Sequence, residues 1–366
     1  MPTESRPLIL LLVPGCDPVG TGREIELVAA GFQAAGWNTH VAVTSRGGVV
    51  AERLAARGIA VHRVGRRPEV DWAAATNAVR LARRLRPTAV LGFGRSQLPA
   101  AALIARVPPR PRVIVRLGRR VSRPLHRWAV GQLDQVLATS PAVAASCPRR
   151  ANGVQVDVVP PGIESDTGAG LSRQEIAARL GLDPTKTWTL CVAPLVASSK
   201  LERLIWAIDQ LGVVNKGLEH VLVGAGPLLR RVQRRARVQE LAERLVVMPR
   251  CDLLPDLIGQ VRLIWQSGDV ALGGAILDGM VRGVPVVAVE SDAAGQLIVN
   301  GETGRIVPAL PESEFPRRAF GIIEDDALAA RYGAAGRERA AAEFSAEKLV
   351  AACLAASVAP CGVARS

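Results

Sequence analysis

The sequence predicts an α/β protein made of two doubly wound domains, each with a parallel sheet between layers of helices. Twelve apolar runs rich in Val, Ile and Leu alternate with helical patterns, six on each side of a Pro/Gly-rich connection. Such runs are typical of parallel strands buried on both faces. The length of 366 residues favours two domains. A hydrophobic content of 49% supplies a large core and excludes a disordered chain.

The first half of the chain predicts a doubly wound domain over residues 1–160. Its strand-like runs are LILLLV (8–13), THVAVT (39–44), IAVHRV (59–64), TAVLGF (88–93), RVIVRL (112–117) and DQVLATS (134–140). Between the first two, residues 23–36 place apolar side chains at helical spacing and end at a glycine suited to a C-cap. After a further strand-like VDVVP, the segment PPGIESDTGAG (160–170) predicts an exposed connection, and we place the domain boundary there.

The second half repeats the pattern and predicts a second domain over residues 161–343. Its strand-like runs are WTLCVAP (188–194), EHVLVG (219–224), RLVVMP (244–249), RLIWQS (262–267), VPVVAVE (284–290) and GRIVP (304–308). A last helix is expected at 343–358, with Ser345 as its N-cap. Open α/β sheets bind ligands at the carboxyl ends of their strands, so we expect the two domains to face each other across a cleft there.

The net charge of +13 lies entirely in the first half of the chain. Residues 1–164 hold 23 Arg against 10 acidic residues, whereas residues 165–366 hold 23 basic and 23 acidic residues. The excess favours an anionic partner for the first domain, such as a membrane surface, an acidic substrate or nucleic acid. Scattered surface arginines explain it equally well. Aromatic residues are only 3%, too few for base stacking, so we expect no nucleic-acid partner.

The segment RPRVIVRLGRRVSRPLHRW (110–128) predicts a peripheral contact with an anionic membrane. It sets four arginines close to two apolar side chains: Arg119, Arg120, Arg123, Arg127, Leu125 and Trp128. Such an arrangement can adsorb at an interface, although a solvated helix gives the same pattern. The apolar run at 7–16 is too short for a leader and the one at 349–364 too short to span a membrane. We expect a cytoplasmic protein that contacts the inner membrane face peripherally.

Neither the cysteines nor the histidines form a recognisable metal or disulfide pattern. The six cysteines include no C-x-x-C pair, and the four histidines are dispersed along the chain. Metal and disulfide sites need closer or more regular spacing. The sequence therefore predicts no metal site and no bound cofactor.

Three glycine-bearing loops follow predicted strands. In PGCDPVGTGREIEL (14–27), Gly20 and Gly22 come just before a helix, whose amino-terminal amides favour an anion. The loop lacks the third glycine of the dinucleotide fingerprint, and a plain tight turn explains it as well. In LVGAGPLL (222–229), amides near Gly224 and Gly226 are suited to a diphosphate.

The third loop, within residues 268–291, contains Gly273 and Gly274 and leads into a helix that carries Asp278. A carboxylate early in such a helix can accept hydrogen bonds from ribose hydroxyls. A solvated helix residue is the alternative interpretation of Asp278.

Taken in order, the motifs VGTGREIELVAAGFQAAGW, VDVVPPGIES, VLVGAGPLL, ILDGMVRGVPVVAVE and NGETGRIVP resemble glycosyltransferase family 4, the retaining GT-B enzymes. The likeness covers nearly the whole chain. It implies two Rossmann-like domains, the first (1–160) binding the acceptor and the second (161–343) the nucleotide sugar, with a C-terminal helix (344–366) crossing back to the first. It also implies transfer of a hexose-like sugar from a nucleotide diphosphate to a glycan, lipid or small molecule, without a protein-bound metal.

The chain departs from the family pattern at the donor site. Pro194 and Ser199 stand where the family's G-R-L-x-x-x-K carries Arg and Lys, and Lys200 follows one residue later. Of the family's paired glutamates, the first is Val270 and the second is Asp278. These changes remove charge from the place where a leaving diphosphate is stabilised, so reduced or absent activity is one expectation.

The resemblance and the local chemistry together nominate two groups of residues. The expected donor-binding residues are Asp278, Lys200, Gly224, Gly226, Gly273, Gly274 and Arg250. The expected acceptor and phosphate-loop residues are Gly20, Gly22, Arg116 and Arg119. Among them, the three arginines are candidate replacements for the missing cations, and no catalytic residue is assigned.

Two other functions fit the same architecture. One is a degenerate homologue that binds a ligand or a partner enzyme without catalysis, which the donor-site departures favour. The other is an isomerase of the sugar-nucleotide 2-epimerase kind, for which we would expect acid/base histidines near the cleft. We rank the transferase first because fold alone constrains function loosely and the motifs match the transferases better.

Overall fold

The chain is divided into two compact units. The computed structural model describes residues 6–15, 20–44, 48–65, 72–148, 153–165, 170–241 and 243–358. The first unit contains Met1–Ile163 and Phe344–Ser366, and the second contains Glu164–Glu343. Each unit holds one all-parallel sheet with helices packed against it. The predicted class, two doubly wound α/β domains, is confirmed.

The sheet of the first unit has seven strands. They are β1 (Leu8–Val13), β2 (Asn38–Val43), β3 (Ala60–Arg63), β4 (Ala89–Phe93), β5 (Arg112–Leu117), β6 (Gln135–Ala138) and β7 (Gln155–Val158). Their spatial order is β3-β2-β1-β4-β5-β6-β7, and every neighbouring pair is parallel. Strands β1, β4 and β5 are buried almost throughout because helices cover both faces, which explains their continuous apolar runs.

In the described residues, six α-helices connect these strands. They are α1 (Thr21–Ala34), α2 (Val49–Ala56), α3 (Trp72–Leu85), α4 (Leu98–Ile104), α5 (Pro124–Val130) and α6 (Pro141–Ser146). The apolar sides of α3, α4 and α5 share one core with the sheet, whereas α1 and α2 contribute to a second core. The strand order reverses direction after β3, so the connecting helices change faces of the sheet there.

The sheet of the second unit has six strands. They are β8 (Thr187–Val192), β9 (Leu218–Val223), β10 (Leu245–Met248), β11 (Leu263–Gln266), β12 (Val286–Val289) and β13 (Arg305–Val307). Their order is β10-β9-β8-β11-β12-β13, again all parallel. The chain passes from β10 at one edge to β11 on the other side of β8. The carboxyl ends of β8 and β11 therefore form the switch point where such sheets bind ligands.

Eight α-helices of the described part of this unit surround the second sheet. They are α7 (Arg173–Leu180), α8 (Leu201–Val214), α9 (Leu229–Val238), α10 (Leu254–Ile258), α11 (Ile276–Val281), α12 (Asp292–Leu297), α13 (Glu314–Glu324) and α14 (Asp326–Glu343). The core contains a buried polar group, since the Trp265 indole donates to the Thr189 hydroxyl at 2.8 Å and that hydroxyl lies 2.6 Å from His220 Nδ1. Burial, with a smaller effect of Arg244, lowers the pKa of His220 to about 3, so this imidazole is neutral.

The last helix, α15 (Ala346–Val358), packs on the first unit. The amide of Lys348 donates to the Ser345 hydroxyl at 3.2 Å, so Ser345 caps the helix as its sequence predicts. Ile163 pairs with Ser345 in an isolated bridge, which joins the connecting segment to the start of α15. A Cβ on Gly31 of α1 would lie 2.3 Å from Val350, so only glycine permits this close packing of α1 and α15.

Candidate functional site

In the second unit, the loop after β8 packs directly against the loop after β9. The amide of Leu195 donates to the carbonyl of Ala225 at 2.9 Å. A Cβ on Gly224 would lie 1.9 Å from the Ala193 carbonyl oxygen, and a Cβ on Gly226 would lie 2.5 Å from that of Leu195. Both glycines are therefore required by the contact between the two loops, whatever else they bind.

The loop after β11 packs against the other side of the loop after β8. The Ser267 hydroxyl donates to the Ser199 carbonyl at 2.7 Å, and the Asp269 amide donates to the Ser198 carbonyl at 3.1 Å. A Cβ on Gly268 would lie 2.4 Å from the same Ser198 oxygen. Residues 193–200, 224–228 and 267–275 thus form one continuous backbone surface at the switch point, which we call the β8 edge.

A tight turn within the β8 edge leads into α11. Leu272, Gly273 and Gly274 have φ values of 54°, 71° and 55°, so three successive residues are left-handed. Glycine adopts this conformation readily because it has no Cβ. A Cβ on Gly274 would also lie 3.0 Å from the Val192 carbonyl oxygen. The turn holds the start of α11 against the end of β8.

The structure places Asp278 at the third position of α11, just after this turn. Asp278 is 8% exposed, so the alternative interpretation of it as a solvated helix residue does not hold. A carboxylate in the first turn of a helix is also favoured by the helix dipole. Asp278 is therefore a mostly buried carboxylate held close to the β8 edge.

Pro194 and Ser199, which the sequence interpretation aligns with the family's Arg and Lys, are joined to each other by a hydrogen bond. The Ser199 hydroxyl is buried and donates to the Pro194 carbonyl at 2.6 Å. Lys200 follows in a left-handed conformation, with φ 49° and ψ 42°, and its side chain is exposed at the start of α8. In this loop of the β8 edge, Lys200 therefore offers an exposed cationic side chain.

Arg203 is a cation of this region that the sequence interpretation missed. Its guanidinium donates to the carbonyls of Ser267 at 3.2 Å and Ala309 at 3.3 Å, and Glu312 lies 3.9 Å away. Its side chain is 14% exposed. Its position one turn after Lys200 on α8 is the only feature of the local sequence that could have indicated its place in this region. Arg203 ties the β8 edge to the loop after β13.

Arg250 lies apart from the switch point. It follows β10, the outer strand of the sheet, and its Nε is 2.6 Å from the Asp252 carboxylate. The ion pair compensates its charge, although the side chain remains 49% exposed. The structure therefore brings Lys200, Asp278 and the four glycines Gly224, Gly226, Gly273 and Gly274 into one region, with Arg250 at its periphery.

In the first unit, Gly20 and Gly22 lie at the start of α1. Gly20 is the N-cap residue with φ 57°, and Gly22 is buried in the first turn. Arg119 lies in the loop after β5 and is partly exposed. These three residues are at the carboxyl ends of β1 and β5, where a ligand of this sheet is expected.

Arg116 is placed differently from the sequence interpretation, which assigned it to a ligand loop. Its side chain is 2% exposed and is bound to the Glu24 carboxylate through Nε at 2.5 Å and Nη2 at 2.7 Å. It also donates to the carbonyls of Val159 at 3.1 Å and Pro160 at 3.0 Å. The amide of Gly162 donates to Glu24 at 3.3 Å. Arg116 therefore holds the connecting segment against α1, with four of its five N–H donors already used and its side chain buried.

The predicted membrane segment includes α5, which exposes an aromatic and an aliphatic side chain. Trp128 is 42% exposed and Leu125 is 37% exposed, and Arg123 and Arg127 lie beside them at the surface. The Arg106 guanidinium stacks 5.4 Å from the Trp128 ring centroid. Within the described residues, no helix combines the length and apolar character needed to cross a bilayer.

Two family models match the chain, and together they cover most of it. The one described as Glycosyltransferase Family 4 matches residues 19–167. The one described as Glycosyl transferases group 1 matches residues 186–325. The first match lies in the first unit and runs into the connecting segment, and the second lies within the second unit.

Two relatives of known name are similar over about half of the chain. The GDP-mannose-dependent alpha-(1-6)-phosphatidylinositol monomannoside mannosyltransferase of Mycolicibacterium smegmatis is 28% identical over 191 residues, which are 49% of this chain and 50% of that protein. The alpha-D-kanosaminyltransferase of Streptomyces kanamyceticus is 26% identical over 185 residues, which are 50% of this chain and 47% of that protein. The chain spans about half the length of the relatives that it matches.

Solved structures resemble the whole chain. HepE of Anabaena, in complex with UDP and glucose, superimposes with a TM-score of 0.79 at 17% identity, covering 96% of this chain and 99% of HepE. WaaG, a glycosyltransferase involved in lipopolysaccharide biosynthesis, gives a TM-score of 0.72 at 12% identity, covering 96% of this chain and all of WaaG. At these identities the likeness establishes a shared fold.

Proposed function

The chain belongs to the group 1 glycosyltransferases of the GT-B fold, and on this premise we propose that it transfers a sugar from a nucleotide diphosphate to an acceptor. The observation that carries the proposal is the β8 edge, where three strand-end loops meet at the switch point beside the mostly buried Asp278. Ligands of open α/β sheets bind at such a place.

We propose that the donor binds along the β8 edge. Asp278 accepts hydrogen bonds from the ribose hydroxyls, since an ionised carboxylate offers acceptors for both. Lys200 supplies charge to the diphosphate, and amides near Gly224, Gly226, Gly273 and Gly274 line the phosphate and sugar. Arg250, already paired with Asp252, is at most a peripheral contributor. Relatives named for GDP-mannose and neighbours solved with UDP support a nucleoside diphosphate sugar.

The resemblance to family 4 supports a retaining mechanism for this transfer. In such a reaction the new glycosidic bond keeps the anomeric configuration of the donor. With a single Lys200 in place of the family's cationic pair, we expect weak leaving-group stabilisation and a slow reaction. We assign no catalytic residue.

We expect Asp278→Ala to lower the affinity for nucleoside diphosphates by about 1.5–3 kcal/mol, the usual worth of a charged hydrogen bond. Lys200→Ala is expected to weaken the binding of nucleoside diphosphates more than that of the corresponding nucleosides, because the lysine charge interacts only with the phosphates. Isothermal titration calorimetry with UDP, GDP and ADP measures both effects. Lys216→Ala is the matched control, since Lys216 is exposed beyond the opposite end of α8.

Two results contradict parts of this proposal. Unchanged affinities in both Asp278→Ala and Lys200→Ala would remove the donor-site assignment. Failure of the unmodified protein to bind any nucleotide would favour the degenerate binding protein instead. The exchange of charged family residues for Pro194, Ser199 and Val270 is the observation behind that alternative.

For the acceptor we propose a lipid-linked molecule reached by the first unit. The support is the Arg excess of that half of the chain, the exposed Trp128 and Leu125, and relatives named for phosphatidylinositol mannosides. Loops around Gly20, Gly22 and Arg119 are the proposed acceptor-side residues. The kanosaminyltransferase relative makes a soluble small-molecule acceptor the second candidate.

We expect the protein to co-sediment with vesicles that contain phosphatidylglycerol and to be released as salt rises, because each basic residue near an anionic surface contributes about 1 kcal/mol. Replacing Trp128 and Leu125 by Ser should lower vesicle binding several-fold, since both side chains are exposed on α5. Val213→Ser and Val214→Ser at the end of α8 form the matched control. Equal binding to neutral phosphatidylcholine vesicles, or equal loss in the control, would refute the contact.

A further inference from the structure

A basic groove lies at the outer edge of the first unit, between the edge strand β3 and helix α3. Its cavity is about 540 Å³, and its polar lining consists of His62, Arg63, Asn77, Arg80 and Arg84. Among the residues that the structure describes, the lining contains no carboxylate. None of the donor-site residues contributes to it, so the groove is separate from the β8 edge in the second unit.

Within the described residues, no acidic side chain forms an ion pair with the three arginines of the groove. Arg80 donates to the Asn77 amide oxygen at 3.1 Å, which leaves its charge in place. Within the part of the chain that the structure describes, Arg63 and Arg84 form no ion pair. On the neighbouring α2, by contrast, Arg53 binds Glu26 at 2.9 Å. Like charges gathered in one recess favour an anion.

Behind the arginines, two histidines on adjacent strands form a pair. His40 Nδ1 on β2 lies 2.9 Å from His62 Nε2 on β3, and the ring planes are within 5° of parallel. One ring donates and the other accepts, so the outer ring nitrogens can take up one proton without breaking this hydrogen bond. The pair is partly buried, and its charged neighbours in the described residues are arginines.

We propose that this groove binds the phosphate group of a phosphate ester. Guanidinium groups offer forked donors that match phosphate oxygens, and a recess of this size holds a phosphate with part of the molecule that carries it. The ester is either a soluble compound or the headgroup of an anionic lipid, since both present the same tetrahedral anion.

Binding of the anion is coupled to a proton on the histidine pair. Burial, the charge of His62 and that of Arg84 lower the pKa of His40, and burial and Arg84 lower that of His62. A bound dianion opposes the field of Arg84 and favours the protonated pair. The charged groups beside the pair in the described residues are Arg84 on α3, which acts on both rings, and Arg63 and Arg80, which line the same groove. Affinity therefore rises as pH falls through the range where the pair takes up its proton.

Imidazole NMR of the full-length protein tests the groove directly, because the chain has only four histidines. Sulfate is the probe, since it stays dianionic throughout and any pH dependence belongs to the protein. Sulfate should shift the His40 and His62 signals, leave the buried His220 unchanged, and bind about tenfold more tightly near about pH 5 than near about pH 7.5, because both pKa values lie below that of a free imidazole. Absence of any shift at His40 and His62 would overturn the proposal.

Substitutions on α3 distinguish specific sulfate binding in the groove from diffuse attraction by surface charge. Arg84→Gln should lower sulfate affinity about tenfold, whereas Arg83→Gln, an exposed neighbour outside the groove, should change it less than twofold. His62→Gln should lower the sulfate affinity at low pH toward the value measured at high pH, so that most of the pH dependence is lost. Equal effects of Arg83→Gln and Arg84→Gln would show diffuse attraction and refute the site.

Vesicle sedimentation then identifies the source of the phosphate. If Arg84→Gln lowers binding to phosphatidylglycerol vesicles more than Arg83→Gln does, the groove takes a lipid headgroup. If vesicle binding is equal in the two variants while sulfate binding differs, the groove takes a soluble ester. Either result supports the site, and neither depends on nucleotide binding at the β8 edge.

Discussion

Replacing Arg116 by Ala should lower the free energy of unfolding by about 3–5 kcal/mol, because it leaves the Glu24 carboxylate buried without its counter-charge. Glu24 is fully buried, and Arg116 supplies two of its hydrogen bonds. The same substitution removes the donors to the Val159 and Pro160 carbonyls. Urea unfolding followed by circular dichroism measures the loss.

A double variant distinguishes an unpaired charge from lost packing. Glu24→Leu combined with Arg116→Met leaves no buried charge, so it should be less destabilised than Arg116→Ala alone. Arg120→Ala, at an exposed position near the end of β5, serves as the control and should change stability by less than about 0.5 kcal/mol. An Arg116→Ala effect no larger than that of the control would contradict the buried-pair interpretation.

The Arg116 pair also links the connecting segment to the start of α1. It holds the segment around Gly162 against the start of α1, the helix that follows the Gly20 loop. We expect faster hydrogen exchange at the Gly162 amide in Arg116→Ala, since that amide donates to Glu24. The exchange rate of this amide is compared between the variant and the unmodified protein at the same difference in denaturant concentration from each protein's unfolding midpoint. This comparison removes the effect of global stability and leaves the local change.

Gly224→Ala should destabilise the second unit by about 3 kcal/mol and lower nucleotide affinity at least tenfold, because a methyl group cannot fit there without moving backbone. The added Cβ would lie 1.9 Å from the Ala193 carbonyl oxygen, a backbone atom that no rotamer change can remove. Separation of the loops after β8 and β9 would disrupt the β8 edge. Thermal unfolding and calorimetry with the best-binding nucleotide measure the two effects.

Gly321→Ala is the matched control for this substitution. Gly321 is an exposed residue inside α13, and a Cβ there would meet nothing within 4 Å. Helix propensity predicts that this change raises stability by up to about 1 kcal/mol and leaves nucleotide binding unchanged. A Gly224→Ala protein with normal stability and normal nucleotide affinity would show that the loops after β8 and β9 can separate without effect. That result would contradict the proposed role of the β8 edge in donor binding.

Elements whose signal is local were predictable from the sequence. The run LILLLV became β1 over Leu8–Val13, and the segment with apolar side chains at helical spacing became α1 over Thr21–Ala34. Ser345 caps α15 as expected. Strand burial and helix capping depend on residues close together in the chain, so their pattern is visible without the fold.

Side-chain partners that are distant in sequence were not predictable. Arg116 was nominated for a ligand loop, but Glu24, 92 positions away, neutralises it in the core. Arg203 was overlooked because its partners at Ser267 and Ala309 come from other loops. The groove of Arg63 and Arg84 exists only because α3 returns alongside β3.

The sequence by itself determined the α/β class, the strand-like runs and the family to which the chain belongs, because these depend on periodicity and on motif order along the chain. Tertiary structure alone decided which charges are free. Arg116 forms an ion pair with Glu24, and Arg250 forms one with Asp252. The side chains of Lys200 and Arg84, by contrast, are exposed to solvent. The physical reason is that a charge is neutralised by whatever lies within a few ångströms in space, and chain order does not specify that neighbour.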